Sequence, residues 1–501
     1  MPLFVDNLEL QRAPGAYGVE LAPPVVIQGQ VLGYIGFVFQ GEWGPVGVVT
    51  EPSGSAEFNA KYFPPGSPHN SSGYYALMRR KRMPLRPVRI APGAVAAVTT
   101  AAAGTGTYTA TARYPGTLGN SITITWRAAT DGDAAHRDLE VTLTHAITGT
   151  TTERVRNIVL NTDLDLTVTS ANLPGGSNLL ASLTFSTGSA LPAAGTTATL
   201  GATTAGTAGT FAASDYETAL NLLRLRNDIF VVCTDDPGDS IRDAVNDALV
   251  AHVNSTRNRL TAFQSSNQNR AWADVKTDLS GSSPTYRSDR SLPQGAWVYT
   301  LDDAGVARVT PFATYVACAL VNSEPQQSHA WRDERMTQFY STIAGIYAPF
   351  NTSDADLQGD ATDLGIGLPV RLDTGDYASL HDRTSSLTAG KRFTVTRRLK
   401  DFFARSILAS VQSFVNGSNW RGKHLEIKAL VDRFLKDQSP KVRKDDPRVV
   451  AYSTNIDGVN TSSSIAAGSF ALGVDAQTPS VMEKIGFLFN VGETVTVREV
   501  E

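Results

Sequence analysis

Two kinds of hydrophobic pattern alternate along the chain. Up to about Gly93 the apolar positions come in unbroken runs: "PPVVIQGQVLGYIGFVFQG", then "VGVVT" after a turn at Trp43-Gly44-Pro45, then "RPVRIA". Runs of this kind bounded by Gly and Pro predict buried strands, with a short helix expected between them over Tyr74 to Met83. From Ala94 to about Ala213 the pattern changes to alternation: "SITITW", "DLEVTLTH", "DLDLTVTS", "LLASLTF". Thr and Val at period two, broken by Gly, Asn and Asp, predict antiparallel sheet with one face in water. The tail of this stretch, "GTTATLGATTAGTAGT", reads either as a strand pair or as a flexible return linker.

From Ser214 the period changes again. Ser214 and Glu217 have the spacing of a capping box opening a helix "DYETALNLLRL"; "DIFVVCT" is a buried strand, "DDPGD" starts a helix with the stripe Ile241, Ala244, Val245, Ala248 and Leu249, and "RLTAFQ" is the next strand. This β-α-β unit favours a parallel pair. Strands "GAWVYTLDD" and "VARVTP" follow, then "FATYVACALVN", which periodicity alone does not assign. Leu399, Phe402, Phe403, Ile407, Val411 and Phe414 mark a long amphipathic helix stopped near Asn416-Gly417, and a second helix turns Ile427, Leu430, Val431, Phe434 and Leu435 inward. The expected architecture is a multidomain α/β (α+β) chain. An α/β core is interrupted by an all-β antiparallel insertion, and extended strand arms lie at both termini. The boundaries are 1–20 for the N-terminal arm, 21–93 for the first part of the core, 94–213 for the insertion, 214–450 for the α/β core and 451–501 for the C-terminal strands and arm.

Composition narrows the classes. At 501 residues, 42% apolar, the chain exceeds what one core holds. Net charge is −4 and charged content 18%, so no global field draws it to nucleic acid or an anionic membrane. Cys233 and Cys318 sit in apolar runs and read as buried small hydrophobes in a reducing compartment, a bridge between them being the alternative. "MPLFVDNLEL" lacks a basic n-region and no run reaches membrane-spanning length, so neither a signal peptide nor membrane insertion is expected.

Candidate chemistry is sparse. "GTGTYTATARYPG" has a G-x-G among strands and lacks the strand-turn-helix setting of a dinucleotide site, so it reads as turns. "DADLQGDATDLG" (Asp354 to Gly365) imitates the opening of an EF-hand loop, but Gly365 stands where the bidentate Glu belongs; a polar surface loop is expected. The seven histidines show no metal spacing, His252 reads as a packed or capping residue, and no G-x-S-x-G elbow occurs. "DDPGD" presents carboxylates at a strand end, where α/β sheets place sites, yet a helix start explains the same residues by capping and the macrodipole. "RRKRMPLRPVR" (Arg79 to Arg89) is the one basic cluster, expected as a solvated helix face or a salt-bridging contact between subunits. No catalytic constellation, metal site or cofactor is expected, and that favours a structural role.

Several of these features, in this order, resemble the tail sheath proteins of contractile bacteriophages and related contractile injection machines. "GYIGFVFQGEWGPVGVVTEPSGSAEFNAKYF" is similar to the family's opening. "ARYPGTLGNSITITW" resembles its Pro-Gly-x-x-Gly-Asn stretch at the mouth of an inserted β-domain, where the glycines and Asn120 serve turn geometry. "HDRTSSLTAGKRFTVTRRLKDFFARSILASVQSFV" resembles the Arg-Thr, strand, Arg-Arg, long-helix run, with Arg383-Thr384 and Arg397-Arg398 in those places, and "GVNTSSSIAAGSFALGVDAQTPSVMEKIGFLFNV" resembles the closing strands. The family's Pro-Pro-Ser and Gly-x-x-x-Ala-Pro-Ala stretches are not visible around Pro311 to Ile346, and "NGSNW" replaces its acidic-Pro-Asn tripeptide.

The resemblance implies a structural subunit, not an enzyme. Such subunits polymerise as hexameric rings stacked helically around a tail tube and contract to drive the tube through a host envelope for genome ejection. The implied partners are other copies of the chain, the tail tube protein, and baseplate and tail-terminator proteins, without nucleic acid. The implied location is the virion tail, and the host cytoplasm during assembly. The arms suit such a lattice: Leu3, Phe4, Val5, Leu8 and Leu10 at one end, and Thr494, Val495, Thr496 and Val497 at the other, are short strand-like segments able to add to a neighbour's sheet edge. Lys428, Asp432, Arg433 and Lys436 lie opposite the apolar stripe of the second helix and are candidates to face the tube, an ordinary solvated face being the alternative. Two other classes stay open: a soluble carbohydrate-active enzyme with an accessory β-domain, and another virion structural or adhesive protein.

Overall fold

The strand Tyr34–Gln40 is hydrogen-bonded on both sides and almost wholly buried, and the largest sheet is built outward from it. One neighbour is Leu85–Ile90 and the other Ile229–Thr234; beyond the latter lie Leu260–Gln264 and Ser291–Gln294, all parallel. In chain order the five strands stand 2-1-3-4-5, a doubly wound arrangement. Every residue of the second to fifth strands is buried, which is why these segments read as unbroken apolar runs. The computed structural model describes residues 3–4, 17–18, 33–62, 77, 85–145, 149–158, 168–169, 178–186, 189–264, 267–280, 286–301, 305–417, 419–457 and 459–481. They fall into two compact units, one drawn from Leu32–Arg397 and Val481–Glu501 and the other from Met1–Val31 and Arg398–Ser480.

Helices cover the sheet on both faces. The helix Phe312–Asn322 shares one core with Phe37, Val231 and Cys233, and its residues 312–321 are all buried. A helix buried all round has no amphipathic period, so "FATYVACALVN" could not be assigned from periodicity. Cys233 and Cys318 are both buried in this core and not joined in a disulfide, and burial pushes the Cys233 thiol up. The opposite face is covered by the helices Ala213–Arg224 and Arg242–Thr256 through Tyr216, Leu220, Leu223, Val245 and Leu249. The first of these starts two residues earlier than Ser214 and Glu217 predict. Its N-cap is Ala212, whose N–H donates to the Asp215 carboxylate at 2.8 Å. Trp297–Leu301 is the middle strand of a separate antiparallel sheet with Ala307–Pro311 and Ile343–Tyr347.

Between Leu85–Ile90 and Ile229–Thr234 the described residues make eight strands in two antiparallel four-stranded sheets. One orders Val168–Thr169, Leu180–Phe185, Gly106–Ala112 and Val98–Ala103; the other orders Thr197–Thr199, Ile122–Ala128, Arg137–His145 and Gly149–Ile158. They share one apolar core in which Trp126 meets Tyr108 at 5.6 Å and Phe185 at 5.9 Å between ring centroids, a β-sandwich. Outward positions carry hydroxyls in register: Thr199, Thr123, Thr142 and Thr152 form one row across the second sheet. The Thr alternation of the sequence is thus the wet face of a sandwich. The return stretch "GATTAGTAGT" is tied down, because Asn120 accepts the Gly206 N–H at 2.7 Å and donates to its carbonyl at 3.0 Å.

In the other unit, residues from Arg398 onward in the helix Thr394–Val411 and the helix Arg421–Asp437 meet through Phe402, Phe403 and Phe434. The first helix ends in a short 3-10 turn, Gln412–Phe414, and Asn416 adopts a left-handed φ of 65°. Ala451–Asn455 and Gly473–Gln477 form an antiparallel pair, joined through the short helix Ser462–Ala466. Leu3–Phe4 pairs in parallel with Tyr17–Gly18 of the same chain. These two arm residues therefore have a partner within the chain. Val5, Leu8, Leu10, Thr494, Val495, Thr496 and Val497 lie outside the described residues, as do most of the expected helix over Tyr74 to Met83 and Arg79 to Arg82 of the basic cluster.

Two buried histidines make the larger unit acid-sensitive. Burial, and next the Arg259 guanidinium, lower His252 to about 4; burial, and next His329, lower His381 to about 4. The unfolded chain takes these protons near pH 6.5 while the folded chain resists them. Their contribution is therefore complete above about 6.5 and is lost as pH falls toward 4. Between pH 7 and 5 denaturant unfolding should lose about 2 kcal/mol per histidine, and His252→Gln with His381→Gln should flatten that slope.

Candidate functional surfaces

A doubly wound sheet binds ligands in the crevice beyond the carboxyl ends of its strands, where the order reverses. Here the reversal falls between Tyr34–Gln40 and Ile229–Thr234, and "DDPGD" begins there at Asp235. Side chains of the chain itself occupy the place. Arg242, fully buried, reaches the Asp236 carboxylate at 2.6 Å and that of Asp239 at 2.6 Å, also contacts Asn267, and lies 5.2 Å from the Trp297 ring centre. Gln268 donates to the other Asp236 oxygen at 3.1 Å, and Gln40 donates to the Tyr216 hydroxyl at 2.8 Å. The following helix has Ile241 as its N-cap, without a side-chain cap. The carboxylates thus pair with a guanidinium rather than cap the helix, a correction to the expected role.

The EF-hand-like stretch is a helix, not the expected loop. Asp354 caps Ala355–Leu364 by accepting the N–H groups of Asp356 and Leu357, each at 3.0 Å, and Gly365 closes it with a left-handed φ of 70°. Asp360, on this helix, pairs with Lys276 at 2.8 Å. Among the described residues no group of three or more His, Cys, Asp or Glu is placed to hold a metal ion, and no helix is long and apolar enough to cross a membrane. His252, a packed residue as expected, lies 3.0 Å from Arg259 through its Nε2.

The described part of the basic cluster is not a solvated face. Arg86 pairs with Asp228 at 2.8 Å and its guanidinium carbon stands 3.5 Å from the Tyr34 ring centre; Arg89 is fully buried. Both are satisfied within the chain. The Arg-Thr and Arg-Arg positions hold the start of the long helix. The Thr384 N–H donates to the Arg392 carbonyl and its hydroxyl to the Lys391 carbonyl at 3.0 Å, while Arg397 pairs with Asp289 at 3.1 Å. Neighbouring Asp382 accepts the Val395 N–H at 3.0 Å and pairs with buried His329 at 2.8 Å. The side chains of Asp382 and His329 show no sequence pattern that would have found them.

On Arg421–Asp437 the four charge candidates divide. Lys428 and Asp432 are half-buried and paired at 2.6 Å, and Asp432 also accepts the Thr454 hydroxyl at 2.5 Å. Arg433 and Lys436 are exposed, opposite buried Leu430, Val431, Phe434 and Leu435.

No protein-family model and no curated protein sequence matches the chain. Solved structures do. The sheath tail protein of Desulfitobacterium hafniense superposes with a TM-score of 0.62 at 16% identity, covering 88% of this chain and 94% of that one. The sheath tail protein Lin1278 of Listeria innocua gives 0.58 at 14%, covering 90% and 96%. The helical sheath of the anti-feeding prophage in its contracted state gives 0.56 at 12%, covering 96% and 99%. The chain has the fold of the contractile sheath proteins. In this sheath fold the carboxyl-end crevice is filled by Arg242, whose removal leaves Asp236 as a buried, underpaired charge. Arg242→Met should cost about 3–5 kcal/mol in unfolding, and adding Asp236→Asn should restore at least about 1 kcal/mol of it in a double-mutant cycle.

Proposed function

We propose that the chain is a subunit of a contractile tail sheath. It polymerises as stacked hexameric rings around a tail tube, bound to baseplate and terminator proteins, and contracts to drive the tube through a host envelope. It acts in the tail, after assembly in the host cytoplasm, and its role is mechanical rather than enzymatic. The observation that carries this is the shared fold across nearly the whole length of both chains, with one counterpart seen inside a contracted helical sheath. The segment 94–213 is proposed as an inserted outer domain, its hydroxyl faces suited to solvent. Residues 451–501 would bring the C-terminal strands and arm to the lattice.

The linkage is proposed to run through the arms, each adding a strand to another subunit's sheet. Contacts of this kind that do not close on themselves propagate a helix. Rigid subunits can then rotate while the arms keep them joined. Leu408, Val415, Trp420 and Leu425 are exposed apolar side chains of the smaller unit, as expected of surfaces that neighbours cover.

Negative-stain images of the concentrated protein should show striated tubes; dispersed globular particles at every concentration would sink the proposal. Deleting residues 1–10 or 492–501 should leave a soluble chain that melts within a few degrees of the parent and builds no tubes. Proline at Val495 or Val497 should act alike, by removing a ladder donor. Normal tubes from the truncated chains would refute arm linkage.

For the tube-facing surface, Arg433→Glu with Lys436→Glu spares the Lys428–Asp432 pair. This double reversal should weaken co-sedimentation with tail tubes by about fivefold at low salt and less at high salt, while empty sheath still forms. Unchanged co-sedimentation would assign these charges to an ordinary solvated face.

A further inference from the structure

The β-sandwich joins the α/β layers of its unit through two runs of chain, residues 91–95 and 205–212, and these are bonded to each other. The Val95 carbonyl accepts the N–H groups of Gly116 at 3.1 Å and Thr207 at 3.0 Å, and the Pro92 carbonyl accepts that of Thr210 at 3.2 Å. The Val95 N–H donates to the Thr207 hydroxyl at 3.1 Å. At Gly209, φ +83°, a Cβ would stand 2.0 Å from the Pro92 oxygen, so the crossing is too close for any side chain.

Beside the crossing, each part buries a side chain in the other. Arg89 comes from the sheet strand Leu85–Ile90. Its guanidinium donates to the carbonyls of Gly41 at 2.7 Å, Gly44 at 2.6 Å and Pro115 at 2.7 Å. The first two belong to the turn after the central strand, the third to the turn between the sandwich strands Gly106–Ala112 and Ile122–Ala128. Trp43, in the former turn, is 1% exposed and belongs to the sandwich's apolar core with Ala97 and Leu118. It meets Tyr114 edge-on at 5.3 Å. The two turns also touch through backbone: a Cβ at Gly116 would lie 2.0 Å from the Glu42 oxygen.

A hinge needs exposed backbone and few packed contacts. This junction has the opposite character. Burial lowers Arg89 to about 10, which leaves it charged at neutral pH. Tilting the sandwich would withdraw Pro115 from a buried cation and pull Trp43 from its pocket, both costly. We propose that Arg89 and Trp43 form a clamp that fixes the β-sandwich at one angle on the α/β layers, so that it is carried as a rigid extension and does not swing on its two connections. The clamp belongs to the single chain and is independent of the sheath proposal.

Spin labels at Thr152→Cys on the sandwich and Glu217→Cys on the helix Ala213–Arg224 report the angle, both positions being exposed and the native thiols buried. In the full chain the distance distribution should be single and narrow. Arg89→Met should broaden it about twofold or more. The same variant should speed hydrogen exchange at the Gly116 and Thr207 amides by about tenfold or more, with Ile124 and Val141 unchanged. A broad distribution in the parent chain, or an unchanged narrow one in Arg89→Met, would overturn the clamp. Should Arg89→Met fail to fold, Trp43→Leu with Asn120→Ala is judged by the same two readouts.

Discussion

Everything in the larger unit depends on closing one sheet around Tyr34–Gln40. This strand needs Leu85–Ile90 on one side and Ile229–Thr234 on the other, so the chain must leave the sheet at Ile90 and return to it at Ile229. Whatever it builds in between has to start and finish at nearly the same place. That requirement brings Pro92 against Thr210 and Val95 against Thr207. A self-contained β-sandwich fits such an excursion because its first and last strands can lie side by side: Val98 bridges to Thr204. The closure also has a consequence for shortening the chain. A chain cut back to the α/β layers would bare Trp43 and leave Arg89 without the Pro115 carbonyl, so an excision of 94–213 tests the sandwich cleanly only when Trp43 and Arg89 are replaced as well.

Buried arginine is the second recurring device, and its placement follows from electrostatics. Arg259 contacts the Arg224 and Arg226 carbonyls at the end of the helix Ala213–Arg224, and Arg290 contacts those of Arg257 and Arg259 beyond the end of Arg242–Thr256. Helix ends leave carbonyls without partners and carry partial negative charge. A guanidinium with five donors satisfies several at once. Arg89 applies the same chemistry to turn carbonyls. These arginines act within the chain, which is why "RRKRMPLRPVR" is misleading as a patch: its last arginines face inward.

The layers were legible in the sequence wherever burial follows a simple period. "DIFVVCT", "SITITW" and the stripe through Leu430, Val431, Phe434 and Leu435 each became the expected element. Local chemistry was less legible because the same residues serve several geometries. "DADLQGDATDLG" carries few apolar residues, so its helix hides from a hydrophobic period, yet Asp354 and Gly365 bracket it as a cap and a stop. The capping aspartate of Ala213–Arg224 stands two positions before Glu217, the carboxylate that fits a capping box with Ser214. Pairings across long separations, such as Arg89 with Pro115 or Asp382 with His329, depend on how strands are ordered in space, and no spacing along the chain encodes them.

Edges decide what remains. Among the described residues the sandwich strand Gly149–Ile158 has a neighbour on one side only, but it bears Glu153, Arg154 and Arg156, and its end is distorted at Asn157, φ 55°. There buried Asp138 accepts the Asn157 N–H at 2.8 Å and pairs with Arg154 at 2.9 Å. Charge and a bulge are the usual protections of an open edge. The pair Ala451–Asn455 and Gly473–Gln477 has less. One face is tied to the helix Arg421–Asp437, where Tyr452 donates to the Asp432 carbonyl and Thr454 to its carboxylate. Among the described residues its sheet has two strands and its outer positions are mostly exposed. Two strands alone are marginal in water, and each additional strand adds a ladder of backbone bonds. Within the sheath proposal, this two-stranded pair would gain from a strand that another chain supplies.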